Sequence, residues 1–319
     1  MASVVRRELT AYQAPWWARN GHVNTVYASL LRFVTQPLWH RERLELDDGD
    51  FLDLDWLVSG RDRCVILSHG LEGNSRRVYM NGMAHAANRA GWDVLSWNYR
   101  GCSGEPNRLL RSYHSGATDD LDRIVQRARA DFGIVALVGF SLGGNLTLKY
   151  LGEQGEDAPV VGAATFSVPC DLAGSSRALA EPAALPYMIR FMRSLREKVR
   201  TKHAMFPEEI DVDGLDRMRT FQEFDDRYTA PIHGFRDAED YWAQCSSRSF
   251  ISSIRRPALL ASALDDPFLS ASCIPRELAR ESEWVRLETP RHGGHVGFVT
   301  DHAESWSEQV AMEFLGGLL

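Results

Sequence analysis

Residues 139–143 read Gly139-Phe140-Ser141-Leu142-Gly143, a serine with glycines two places before and two places after it. A serine hydroxyl is a weak nucleophile until a base takes its proton and a third group orients that base. Two later motifs can supply those groups. H-G-G-H-V-G-F (292–298) carries two histidines, and His295 is favoured over His292 because Gly293-Gly294 gives it a flexible loop back to the serine. L-D-D-P-F (264–268) carries two adjacent carboxylates. Asp266 would serve only as a helix cap before Pro267 if Asp265 were the acid. Asp266 also begins a loop followed by apolar residues, the position such an acid takes, and it is favoured; Asp265 stays open as the alternative. Acyl transfer to a serine passes through an oxyanion that needs preorganised N–H donors. Leu142, directly after the serine, offers one, and Leu71 in H-G-L-E-G (69–73) offers the other.

These residues can act together only if the chain positions them, and a bare G-x-S-x-G is a weak signal. Here it follows an apolar run at 134–138 and opens a helical stretch at 142–152, the strand–turn–helix that holds a serine in a strained conformation with its hydroxyl exposed. Further short apolar runs lie at 64–68, 93–97, 160–166, 258–263 and 284–287, as strands buried on both faces require. Between them, Met80, Met83, Ala84 and Ala87, then Leu121, Ile124, Val125 and Ala128, recur at helical spacing. This alternation predicts an α/β fold with a mainly parallel, doubly wound sheet. Residues 44–56 read as an antiparallel hairpin around a D-D-G-D turn. The alternation breaks over about 171–249, which predicts a helical cap inserted above the strand ends, where open α/β sheets bind ligands. The whole of 1–319 reads as one domain.

Composition narrows the function. The 319 residues are 44% hydrophobic and 25% charged, with a net charge of −7, which is ordinary globular composition without the footprint of a dedicated nucleic-acid binder. Five scattered cysteines form no C-x-x-C pair, and H-E-x-x-H is absent, so no metal site or cofactor is expected. No apolar run follows the first arginines, so no signal peptide is expected. The most apolar stretch, 160–169, is about half of the roughly 20 residues needed to span a bilayer. A soluble, cytoplasmic protein is the expectation.

Other residues invite chemistry but carry blander readings. Cys102 and Ser103 sit on no strand–helix elbow and read as structural. Arg100, Glu105 and Arg108 could hold a substrate anion, but mutual pairing that orders their loop is favoured. His22, His69, His114 and His233 are too scattered for a metal. Residues 185–202 place Leu185, Met188, Met192, Leu195 and Val199 on one helical stripe among many cations. A cap helix explains that pattern, with peripheral contact to anionic lipid as the alternative. Trp16, Trp17 and Trp242 read as core residues that could also line an acyl pocket.

The motifs together resemble the YheT-like α/β-hydrolases, relatives of plant embryogenesis-associated hydrolases and of animal membrane-associated α/β-hydrolase-domain lipases. The resemblance rests on R-N-G-H-V-N-T (19–25), S-H-G-L-E-G (68–73), N-Y-R-G-C-S-G-E-P-N-R (98–108), Y-H-S-G (113–116), G-F-S-L-G-G-N (139–145), F-D-D-R-Y-T-A-P-I-H-G-F (224–235), D-D-P-F and H-G-G-H-V-G-F. It implies the α/β-hydrolase fold and a serine hydrolase, a carboxylesterase or acylglycerol lipase. Ser141 would be nucleophile, Asp266 or its neighbour the acid, and His295 the base. The animal relatives' N-terminal membrane anchor has no counterpart here, so that mode of attachment is not expected. The partner implied is a small-molecule ester, an acylglycerol among the candidates. Acyl transfer to another acceptor, or a non-catalytic scaffold, are the competing readings; oligomeric state is left open.

Overall fold

The computed structural model describes residues 8–319. The expectation that no signal peptide opens the chain rests largely on residues 1–7, which lie outside the described residues. Eight strands form one sheet: β1 (His40–Glu45), β2 (Phe51–Leu57), β3 (Arg63–Ser68), β4 (Asp93–Asn98), β5 (Ile134–Phe140), β6 (Ala163–Phe166), β7 (Ala258–Ala261) and β8 (Val285–Glu288). Their order is β1-β2-β4-β3-β5-β6-β7-β8. Only β2 runs against its neighbours; every other pairing is parallel. The hairpin turns through Gly49 at φ +86°, with Leu46 N–H donating to Asp50 O at 2.9 Å.

The apolar runs become central strands because both faces of the sheet are covered. Along β3, Cys64 and Ile66 point to one side and Val65 and Leu67 to the other, all fully buried. The helices of eight residues or more are labelled α1–α7. On the first face lie α2 (Thr118–Asp131) and α3 (Leu142–Gln154); on the second lie α1 (Val78–Arg89) and α7 (Trp306–Gly316). The residues at helical spacing, Met80 to Ala87 and Leu121 to Ala128, are the buried stripes of α1 and α2. The run at 160–166 enters the ladder to β7 only at Ala163, since its neighbour across that seam, Pro257, has no N–H to give.

Between β6 and β7 the chain folds into α4 (Leu172–Ala180), α5 (Leu185–Met205) and α6 (Ala238–Cys245) with shorter turns, the inserted helical cap. Met188, Met192, Leu195 and Val199 of α5 are buried with Phe221, Phe224 and Trp242 in a third apolar core. Leu185 departs from the expected stripe: it starts the helix and is exposed. Among the described residues, no helix is long and apolar enough to cross a membrane.

Candidate active site

The site is assembled at the carboxyl ends of the central strands. Ser141 sits between the last residue of β5 and the first of α3 with φ +53° and ψ −120°, a conformation that a side chain rarely permits. Backbone bonds hold it there: its N–H donates to Phe166 O (2.9 Å), and its carbonyl accepts from Gly144 and Asn145 (2.9 and 3.0 Å). Helix and strand approach too closely for side chains at the flanking glycines. A Cβ on Gly139 would lie 2.7 Å from Thr147 Oγ1, and one on Gly143 2.7 Å from His69 O.

The loop after β8 brings His295 to this turn. His295 Nε2 lies 2.9 Å from Ser141 Oγ, and Nδ1 lies 2.9 and 3.0 Å from the two Asp266 oxygens. The Asp266 side chain is fully buried and that of His295 nearly so. Asp266 Oδ1 also accepts the Phe268 N–H at 2.9 Å, and the Phe268 ring stacks on the imidazole at 4.0 Å. A carboxylate can only accept, so it accepts a hydrogen bond from Nδ1–H, which keeps the proton on Nδ1 and leaves the Nε2 lone pair facing the serine. Asp265 points elsewhere: it accepts the Gly294 N–H at 2.9 Å and meets His292 Nδ1 at 3.3 Å. The two glycines before His295 thus give close packing rather than looseness, since Gly294, at φ +58°, lies against the backbone of Gly21 and Thr25.

The loop carrying Leu71 lies on the other side of the serine, with Gly70 so placed that a Cβ there would be 3.2 Å from Ser141 Cβ. Neither the Leu71 nor the Leu142 N–H donates to any described residue, and both residues line the cavity above Ser141. His69 is fully buried. Its Nδ1–H donates to Gly70 O (2.8 Å), its Nε2 accepts the Tyr99 N–H (3.3 Å), and burial pushes its pKa down to about 3. It is a neutral brace for the loop.

Sequence reasoning missed what fastens this loop to the cap. Glu72, at φ +54°, pairs with Lys198 of α5 at 2.9 Å and accepts from Tyr113 (2.6 Å) and Ser194. Burial would raise the Glu72 carboxyl, but Lys198 and these hydroxyls outweigh it and hold it below its ordinary value. Also missed was the helix Gly21–Val26, started by Asn20, whose Thr25 Oγ1 accepts the His295 N–H at 2.8 Å. The only signal for it was the R-N-G-H-V-N-T motif.

The cavity above Ser141 has a volume of about 340 Å³ and is lined at one end by Leu71, Leu142 and His295. Phe191, Leu195, Phe221 and Trp242 of the cap make its far walls apolar. Trp242 is buried and donates to Asp225 at 2.9 Å; burial raises that carboxyl to about 7. The other two tryptophans differ from expectation: Trp17 is only half-buried and meets Tyr27 edge-on (4.7 Å), and Trp16 is 81% exposed. Cys102 is buried, its thiol pushed up to about 11, beside Lys198 Nζ at 2.9 Å.

Arg100, Glu105 and Arg108 do not pair with one another as expected. Arg100 is buried against Asp120 and Asp50, which a desolvated guanidinium requires, while Glu105 meets Arg43 and Arg108 meets Glu45. Among the described residues no three His, Cys, Asp or Glu side chains are grouped to hold a metal. A hydroxyl, an imidazole and a buried carboxylate in series, beside two undonated N–H groups and an apolar cavity, can perform nucleophilic acyl transfer.

Comparison with known proteins agrees with this architecture. Residues 63–302 match the family described as alpha/beta hydrolase fold. The YheT protein of Escherichia coli, described as a candidate esterase, is 36% identical over 93% of this chain and 90% of its own. Phospholipase ABHD3 of Mus musculus is 32% identical, covering 91% of this chain and 73% of that protein. The solved Pyrococcus furiosus esterase Pf2001 superposes with a TM-score of 0.62 at 15% identity, over 95% of this chain and 98% of that one, a likeness of fold.

Proposed function

The chain belongs to the alpha/beta hydrolase fold family, within the YheT-like group, and from that premise we propose that it is a carboxylic ester hydrolase acting through Ser141, His295 and Asp266. The observation that carries the reading is the unbroken series from Ser141 Oγ through His295 to a buried carboxylate, each step 2.9 Å. As Ser141 Oγ attacks the ester carbonyl carbon, His295 Nε2 takes its proton, and Asp266 stabilises the imidazolium without itself taking the proton. The carbonyl oxygen becomes an oxyanion that accepts from the Leu71 and Leu142 N–H groups. Collapse breaks the bond to the alcohol, which leaves with the proton from His295. A water then gives a proton to Nε2, attacks the acyl-serine, and releases the acid as the proton returns to Ser141.

The apolar cap walls suit a hydrocarbon chain, and the relatives' names extend the candidate substrates from simple esters to phospholipids, beside the acylglycerols that the family resemblance implies. Soluble p-nitrophenyl esters of graded chain length test the reading. Wild-type protein should hydrolyse them, and Ser141→Ala should lower kcat by roughly 10⁴-fold or more with an unchanged thermal melt. Equal turnover by the variant, or none by folded wild type, would overturn it.

A further inference from the structure

The large apolar side chains that face solvent are not scattered. Among the described residues, seven of the thirteen lie in residues 16–38, including Leu30, Leu31, Phe33 at 86% and Leu38 at 94% exposure. Leu185 and Ile189 on the first turns of α5 and Leu264 beside the acid loop add to them. The segment is inverted in its amphipathicity. Gly21, Asn24, Thr25 and Ala28 are its buried side, while Val23, Val26, Leu30 and Leu31 face outward. Isolated exposed apolar residues are ordinary, but such a concentration marks a surface that another apolar phase covers.

The charge pattern says which phase. In a chain carrying 43 acidic residues and a net charge of −7, positions 9–40 contain no Asp or Glu, and neither do 182–196. The second stretch carries Arg190 and Arg193, both exposed, and the first carries exposed Arg19; none of these three has an ion pair among the described residues. The two stretches touch, because His22 stacks on Tyr187 (5.8 Å) and bonds its hydroxyl (3.1 Å). Tyr187 in turn meets Phe268 at 4.8 Å, the ring that stacks on His295. Two touching stretches that carry outward apolar side chains and unpaired cations but no acidic residue of their own are complementary to an anionic lipid surface.

We propose that the outward face of residues 16–38, joined to the exposed start of α5, docks peripherally on anionic bilayers, with the loop of His295 and Phe268 beside the lipid. Flotation with phosphatidylcholine vesicles, with and without phosphatidylglycerol, tests this on the full chain. Wild-type protein should float with the anionic vesicles, and less so as salt rises. The Leu30→Ser/Leu31→Ser/Phe33→Ser variant should partition at least about tenfold more weakly, since aliphatic and aromatic burial is lost. Arg190→Gln/Arg193→Gln should weaken binding to the anionic vesicles alone.

None of these residues belongs to the catalytic machinery, so hydrolysis of a soluble ester should stay at the wild-type rate in both variants. That readout separates failure of the docking surface from failure of the proposed hydrolase activity. Absence of wild-type flotation, or flotation that the triple variant leaves intact, overturns the proposal. So does a wild-type dimer in sedimentation that the triple variant dissolves while neither binds vesicles; the face would then belong to a second copy.

Discussion

Replacing Asp266 by Asn changes one atom type and should nearly abolish turnover, for a reason fixed by the neighbouring backbone. Oδ1 accepts the Phe268 N–H at 2.9 Å, so in the variant the amide oxygen must stay at that position and the NH₂ must take the place of Oδ2. That NH₂ then faces His295 Nδ1 where a carboxylate oxygen stood 2.9 Å away, while the amide oxygen, 3.0 Å from the same nitrogen, is already engaged by the Phe268 N–H. Two donors cannot share one bond, so the imidazole proton moves to Nε2, and the lone pair that should take the Ser141 proton is gone. A wrong tautomer of this kind costs about 10⁴ in kcat, on the order of 5.5 kcal/mol of barrier. Asp265→Asn is the control. Its amide oxygen can still accept the Gly294 N–H, and only the 3.3 Å contact to His292 weakens. That change should cost about 1 kcal/mol of stability and leave kcat within about tenfold. Steady-state kinetics on a soluble ester, with thermal melts of both variants, decides between them. Near-normal turnover by Asp266→Asn, with Asp265→Asn the crippled variant, would refute the reasoning.

Three further predictions concern the frame around the site. Gly143→Ala places a methyl group 2.6 Å from the Ser68 carbonyl carbon; the elbow must shift, so urea denaturation should show a loss of about 3 kcal/mol or more and activity should fall with it. Lys198→Met leaves the Glu72 carboxylate buried without its cation and should cost about 2–3 kcal/mol, reduced from a fully buried pair because Lys198 is partly exposed. Because Glu72 is held below its ordinary 4.5, that difference should be complete above pH 4.5 and vanish as pH falls through the lower folded value, measured by urea melts across pH. Asp225 has the opposite sign: burial raises it from 3.8 to about 7, so the folded state loses stability as pH climbs from 4 through 7. Asp225→Asn should therefore raise Tm at pH 8 relative to wild type and change it little at pH 4.

The parts of this architecture that were legible in the sequence are those that follow from burial on both sides of a sheet. Runs such as Val65-Ile66-Leu67 have no polar face to confuse their reading, and the elbow at Ser141 announces itself through glycines that sterics demand. What stayed hidden depends on directions that no periodicity encodes. Asp265 and Asp266 are chemically identical neighbours, and only the N–H groups of Gly294 and Phe268 turn them to different tasks. The tie from Glu72 to Lys198 joins residues 126 apart across the cap, and the partners of Arg100 come from a hairpin and a helix rather than its own loop. Trp16 looked like a core residue by type, yet type says nothing about a segment whose apolar side faces out.

The central claim is that Ser141 is an activated nucleophile, and covalent trapping tests it most directly. Folded wild-type protein incubated with a fluorophosphonate should gain one adduct, mapped by peptide mass spectrometry to Ser141, that is absent from Ser141→Ala and formed far more slowly by Asp266→Asn. An unlabelled Ser141 in folded protein, or an adduct on another residue that persists in Ser141→Ala, would contradict the account.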